Sequence, residues 1–164
     1  MEHPVLDKAV LWPKGNLFED FHVGQRFDHH WGRTLTESDN TLFTTLTLSF
    51  VPLYFNRTYA MAQGHPDIVV NPHLVFNTVL GLSVEDCSEA GGPFLGVYDL
   101  VYHRPVYPGV TLRASSTTVE ARLSSSNPAN GIVTWETKGH AETGDLVVSF
   151  RRSNLVRRRD GASA

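Results

Sequence analysis

The chain has 164 residues, 41% of them hydrophobic and 19% charged, with a formal net charge of -3. That length suits one compact domain with a real core, and the balance excludes both a disordered chain and a basic nucleic-acid binder. Cys87 is the lone cysteine and forms no internal disulfide, and no apolar run approaches the roughly 18 residues of a membrane-spanning helix, so the expectation is a cytoplasmic protein that neither enters a membrane nor binds nucleic acid.

Residues 1–16 read as an irregular arm, broken by Pro4, Pro13 and Gly15, and acidic Glu2 near the start argues against a signal peptide. Phe18 to Phe27 has spaced apolar residues around Gly24, which fits a short strand or a turn. Thr36-Glu37-Ser38-Asp39 then offers an N-cap and an acidic first turn. Leu42, Phe43 and Leu46 recur at helical spacing behind it, so the residues from Leu35 to Leu48 form a short amphipathic helix. Pro52 redirects the chain, and Tyr54 to Ala62 is a second short helical piece. After a connector from Pro66 to Pro72, the residues Leu74, Val75, Thr78, Val79 and Leu82 give a broad apolar face with almost no charge, as in a buried helix. Gly81 inside it costs about 1 kcal/mol against Ala, so a close packing partner is expected there.

The second half is strand-like. Phe94 to Val106, Val110 to Leu123, Gly131 to His140 and Leu146 to Val156 are rich in β-formers. In the third of these, Val133, Trp135 and Thr137 alternate with Ile132, Thr134 and Glu136. Thr143-Gly144-Asp145 is a hairpin signal. A few helices followed by several antiparallel strands predict an α+β domain with a sheet wrapped around a buried helix. The domain is expected over 17–158, with 159–164 as a C-terminal tail.

Several segments together resemble the MaoC-like dehydratases, on the branch of mesaconyl-CoA hydratase-like and (R)-specific enoyl-CoA hydratase-like proteins. They are Gly32-Arg33-Thr34-Leu35-Thr36-Glu37-Ser38-Asp39-Asn40, Gly81-Leu82-Ser83-Val84-Glu85-Asp86, Pro105-Val106-Tyr107-Pro108-Gly109-Val110-Thr111-Leu112, Gly131-Ile132-Val133-Thr134 and Ser149-Phe150-Arg151-Arg152. The resemblance implies a hot-dog fold, with a long central helix wrapped by an antiparallel sheet, and a dimer. It also implies a thioester of CoA or acyl carrier protein as ligand, with no cofactor.

Hydration of an unsaturated thioester needs a base for water, a partner for the α-proton and donors for the enolate oxygen. In the family an Asp and, five positions later, a His carry the proton chemistry, and a backbone N–H at the start of the central helix serves the carbonyl. The matching segment here is Ser49-Phe50-Val51-Pro52-Leu53-Tyr54, which puts Ser49 in the place of the Asp and Tyr54 in that of the His, with Asn56 following. Neither hydroxyl is a good base near neutrality. At the helix start the chain reads Asn71-Pro72-His73-Leu74, and Pro72 has no N–H to give. The donor then comes from His73, from the Asn71 side chain or from a shifted backbone.

Tyr54 is the first candidate, as a proton donor or a hydrogen bond to the carbonyl; the alternative is an aromatic filling the space of the missing His. His73 is a relocated acid or base at a helix end where partial positive charge collects, or else a packed histidine. Ser49 and Asn56 position a water or a polar substituent, or serve as helix-end residues. Val51, Asn71, Pro72 and Leu74 are the expected substrate contacts, with helix capping the favoured role for Asn71. His22, His29 and His30 match no zinc spacing, and no metal is expected. His65 and His103 show no partner in the sequence and read as solvated or structural. Arg151, Arg152 and the 157–159 arginines are possible contacts for CoA phosphates, although a solvated tail is preferred for the last three. Arg33 reads as a structural ion-pair partner.

The leading reading is therefore a hydratase or dehydratase, or a related conjugate addition, elimination or isomerisation, with Tyr54 and His73 replacing the usual pair. The alternatives are a silent subunit of a mixed hot-dog dimer and, last, an acyl thioesterase, which needs a carboxylate or activated water near the carbonyl.

Overall fold

The structure, a computed structural model, describes residues 14–162. Most of the expected N-terminal arm lies outside the described residues. Five antiparallel strands form one sheet: β1 (Arg26–Thr34), β2 (Phe94–Tyr102), β3 (Thr111–Leu123), β4 (Asn130–Ala141) and β5 (Leu146–Arg157), in the order β1-β3-β4-β5-β2. The helices are α1 (Glu37–Leu46), α2 (Arg57–Ala62), α3 (Pro72–Leu82) and the short α4 (Val84–Cys87). Among the described residues no helix is long and apolar enough to cross a membrane.

The expected architecture holds: the sheet curls around α3. Alternation places one face of each strand inward, and in β4 that face is Val133, Trp135 and Thr137, all fully buried. Val75 and Val79 of α3 pack with Leu112, Ala114, Val148 and Phe150 from the sheet. Phe76 meets Phe150 edge to face at 4.9 Å. A second cluster gathers Phe21, Cys87, Trp135 and Val156 at the other end.

β1 departs from the sequence reading, which expected a strand or turn only up to Phe27. Its burial pattern has one fully covered residue, His29, in nine, so an edge strand without an apolar rhythm was invisible to periodicity. The close approach expected at Gly81 is also absent, since a Cβ there meets nothing within 4 Å. It occurs instead at Gly139 of β4, where a Cβ would stand 2.5 Å from a Val79 methyl and 2.8 Å from a Val148 methyl. Helix and sheet touch there because β4 offers no side chain.

At the C-terminal end, Arg159 is exposed and partnered. Its guanidinium lies 2.6 Å from Asp20, and its backbone N–H donates to Glu19.

Candidate functional site

The segment before α3 is fixed by one buried amide. Asn40 of α1 is fully covered, and its Nδ2 donates to the carbonyls of Tyr54 (2.8 Å) and Val69 (3.1 Å). Its Oδ1 accepts from the backbone N–H of Asn71 at 2.8 Å. Three stretches distant in sequence are thereby tied at one point. Backbone bonds extend the tie, from Val69 N–H to Leu53 and from Val70 N–H to Val106.

Asn71 then caps α3. Its Oδ1 accepts from the His73 N–H at 3.0 Å, and its Nδ2 donates to Ser49 Oγ at 3.1 Å. The N–H groups of Leu74 and Val75 both turn to the Asn71 carbonyl, and Pro72 has none. The first turn of α3, normally a source of free donors, thus has every N–H engaged internally. Of the donors expected for a thioester oxygen here, the His73 N–H is occupied, and one of the two N–H groups of the Asn71 amide is spent on Ser49.

A cavity of about 250 Å³ opens between this helix start and the segment that follows β2. Its apolar walls include Leu53, Val69, Val70, Pro72, Val75 and Val106. Its polar groups are Tyr54, His65, Tyr102, His103 and Arg104. Partial burial, and then the Tyr54 phenol nearby, push the Tyr102 hydroxyl above the usual phenol range. It is therefore a protonated donor at neutral pH.

The structure brings some of the expected residues together. Tyr54 is half-buried in the cavity with Pro72. His73 is exposed outside the lining, and its ring lies edge-on to that of Tyr102, 6.5 Å between centroids. Ser49 is held by Asn71. Asn56 caps α2, accepting from the Tyr59 N–H at 3.0 Å, away from the lining. Val51 is exposed, and Leu74 packs against the main core.

Tyr102, Arg104 and Asn40 were not singled out in the sequence. His65 and His103 are not partnerless: His65 Nδ1 lies 3.0 Å from Tyr107 Oη, and His103 Nε2 lies 2.8 Å from Ser149 Oγ. The one available signal was the run Tyr102-His103-Arg104-Pro105, polar groups where a strand must stop.

Other expectations are corrected. Arg152 cannot reach a phosphate. It is 1% exposed, donates to the Ser83 carbonyl and to the Ser83 and Ser88 hydroxyls, and lies 5.2 Å over the Trp135 ring. Arg151 is exposed and stands 3.7 Å from Asp99. Arg33 does form its ion pair, with Asp39 at 2.9 Å. His29 is buried between Asp86 (2.6 Å) and Ser116 (2.8 Å). Among the described residues no three His, Cys, Asp or Glu side chains gather as a metal site.

A family model described as mesaconyl-CoA hydratase matches residues 2–164. The mesaconyl-CoA hydratase of Haloarcula hispanica is 40% identical over 160 residues, which is 97% of this chain and 45% of that protein. A structure described as a MaoC domain protein dehydratase from Chloroflexus aurantiacus superposes with a TM-score of 0.87 at 30% identity, over 95% of this chain and 44% of that one. A Mycobacterium tuberculosis protein described as having a double hot-dog fold superposes at 0.81 with 24% identity, over 88% of this chain and 44% of that one, a likeness of fold alone. The chain spans about half the length of the relatives it matches.

Proposed function

Because the chain belongs to the mesaconyl-CoA hydratase family, we propose that it is a hot-dog unit that adds water to, or removes it from, an acyl thioester of CoA or acyl carrier protein. Related conjugate addition, elimination or isomerisation uses the same groups. The observation that carries the reading is the cavity at the start of α3, with Tyr54 and Tyr102 in its lining. The thioester carbonyl seats there, and the two phenols replace the engaged backbone donors in holding its oxygen as enolate charge develops. His73, exposed and edge-on to Tyr102, takes a proton from the attacking water as its oxygen bonds to the β-carbon and delivers that proton to the α-carbon as the enolate collapses; dehydration runs these steps in reverse. A cavity of about 250 Å³, below the roughly 300–1,000 Å³ of drug-sized ligand sites, favours a short acyl group. The relatives' name, mesaconyl-CoA hydratase, points to a short dicarboxylic acyl group. We place this work in the cytoplasm, whose reducing conditions suit the free thiol of Cys87.

Turnover of mesaconyl-CoA and a panel of enoyl and 3-hydroxyacyl thioesters tests the proposal. Tyr54→Phe should lower kcat by about 10²–10³, the effect of removing one donor to a developing oxyanion. His73→Ala should lower it by about 10²–10⁴. An active wild type whose variants both keep full rate overturns the assignment.

A second reading follows from the fully engaged first turn of α3. Without free backbone donors, this unit shapes the acyl tunnel while a second hot-dog unit, in a mixed dimer, performs the chemistry. That reading expects an inactive chain that gains activity on mixing with an intact hydratase subunit. An active homodimer removes it.

A further inference from the structure

The cavity carries polar groups that holding the thioester carbonyl does not use. His65, His103, Arg104 and two phenols line it, and none of the described residues in its lining is acidic. The one permanent charge in the lining is the Arg104 guanidinium, and the carboxylate it faces lies outside the lining.

Arg104 is the permanent cation of the set. It lines this cavity and also a neighbouring one of about 350 Å³, so it stands in the wall between two hollows. Its partner is Asp145, at 2.7 Å, just beyond the β4–β5 turn. The two side chains are 62% and 44% exposed. An exposed pair of this kind contributes only about 0–1 kcal/mol. A carboxylate arriving in the cavity, partly shielded from water, competes with Asp145 on favourable terms. The guanidinium fork suits a carboxylate, which it can hold with two parallel hydrogen bonds.

We infer that Arg104 is a specificity-determining residue, pairing with the free carboxylate of a dicarboxylic acyl thioester and releasing Asp145 to do so. This rests on the thioester site proposed above, but concerns a different part of the substrate. The phenols hold the reacting carbonyl, and Arg104 selects the acyl group by its charge. Arg104 then contributes to binding in ground and transition states alike, which moves KM and leaves kcat unchanged.

The test compares mesaconyl-CoA with a neutral analogue carrying a methyl group in place of the free carboxylate. Wild type, Arg104→Met, Arg104→Lys and Asp145→Asn are assayed for kcat and KM, and for Kd by calorimetry. Arg104→Met should weaken mesaconyl-CoA by about tenfold to a hundredfold, as for a lost hydrogen bond to a charged group. The neutral analogue should be unaffected. Lys should rescue in part, and Asp145→Asn, which frees the guanidinium, should tighten mesaconyl-CoA alone. Equal effects of Arg104→Met on both ligands, or none on either, overturn the inference. If the wild type binds both ligands but turns over neither, the catalytic reading fails while the calorimetric difference still decides the role of Arg104. If it binds neither, the thioester site itself fails and takes this inference with it.

Discussion

Asn40 shows how much one side chain can organise. Its amide satisfies two carbonyls and one N–H in the dry space where α1, the 51–54 turn and the start of α3 meet. Asn40→Ala leaves those backbone groups without partners, and each buried unsatisfied group costs about 1–3 kcal/mol. A loss of about 3 kcal/mol or more in urea-unfolding stability is expected, and a loss below 1 kcal/mol would show that the tie is not needed. Cys87 is the contrasting case. Its burial pushes the thiol up to about 11, against the smaller downward pull of Arg152 and Ser116. The thiolate is the reactive form, so at pH 7–8 the native protein should leave an aromatic disulfide reagent almost untouched, with one equivalent of thiol released in denaturant. Rapid native-state labelling contradicts this.

Thr36 and Asp39 start α1 with a reciprocal pair of hydrogen bonds. Thr36 Oγ1 accepts from the Asp39 N–H, and Asp39 accepts from the Thr36 N–H. That backbone bond, then the Thr36 hydroxyl and the Arg33 guanidinium, hold the Asp39 carboxyl below the usual carboxylate range. A lowered folded pKa gives stability that is present above the unfolded value of about 3.9 and lost as pH falls through the folded value. Thr36→Ala should cost about 1 kcal/mol at pH 7, and Asp39→Asn should flatten the acid limb of the stability profile below about pH 4. Urea titrations across pH measure both, and an unchanged acid limb refutes the assignment. Where α3 crosses β4, Gly139→Ala forces a methyl against Val79 and Val148. Overpacking of this kind costs about 1–3 kcal/mol, which thermal unfolding detects; unchanged stability means that helix and sheet separate easily.

The whole molecule leaves β2 as an edge with a large apolar content. Leu95, Tyr98, Val101 and Tyr102 are among its exposed residues, and the strand kinks where Asp99 takes a φ of 52°. Proteins normally cover or charge such edges, and this strand carries one acid and no base. We propose that a second copy of the chain covers it. Light scattering of the purified chain should give a dimer mass, and Val101→Lys should shift it towards monomer. A monomer at every concentration tested overturns the proposal.

The sequence by itself determined the order of the main helices and of the last four strands, the cap of α1, the burial of α3 and the alternation along β4. Each is a local matter of periodicity, turn chemistry or capping, and each is written into neighbouring residues. The family resemblance singled out Tyr54 and Pro72, and both line one cavity. Only the tertiary structure decided that β1 is a strand, that Arg152 is buried, that the first turn of α3 has no free N–H and that Tyr102, His103 and Arg104 share a cavity with Tyr54. Those facts depend on groups tens of residues apart meeting across a curled sheet. Chain spacing carries no record of such meetings, because the free energy that fixes them is non-local burial and the satisfaction of distant hydrogen-bonding groups.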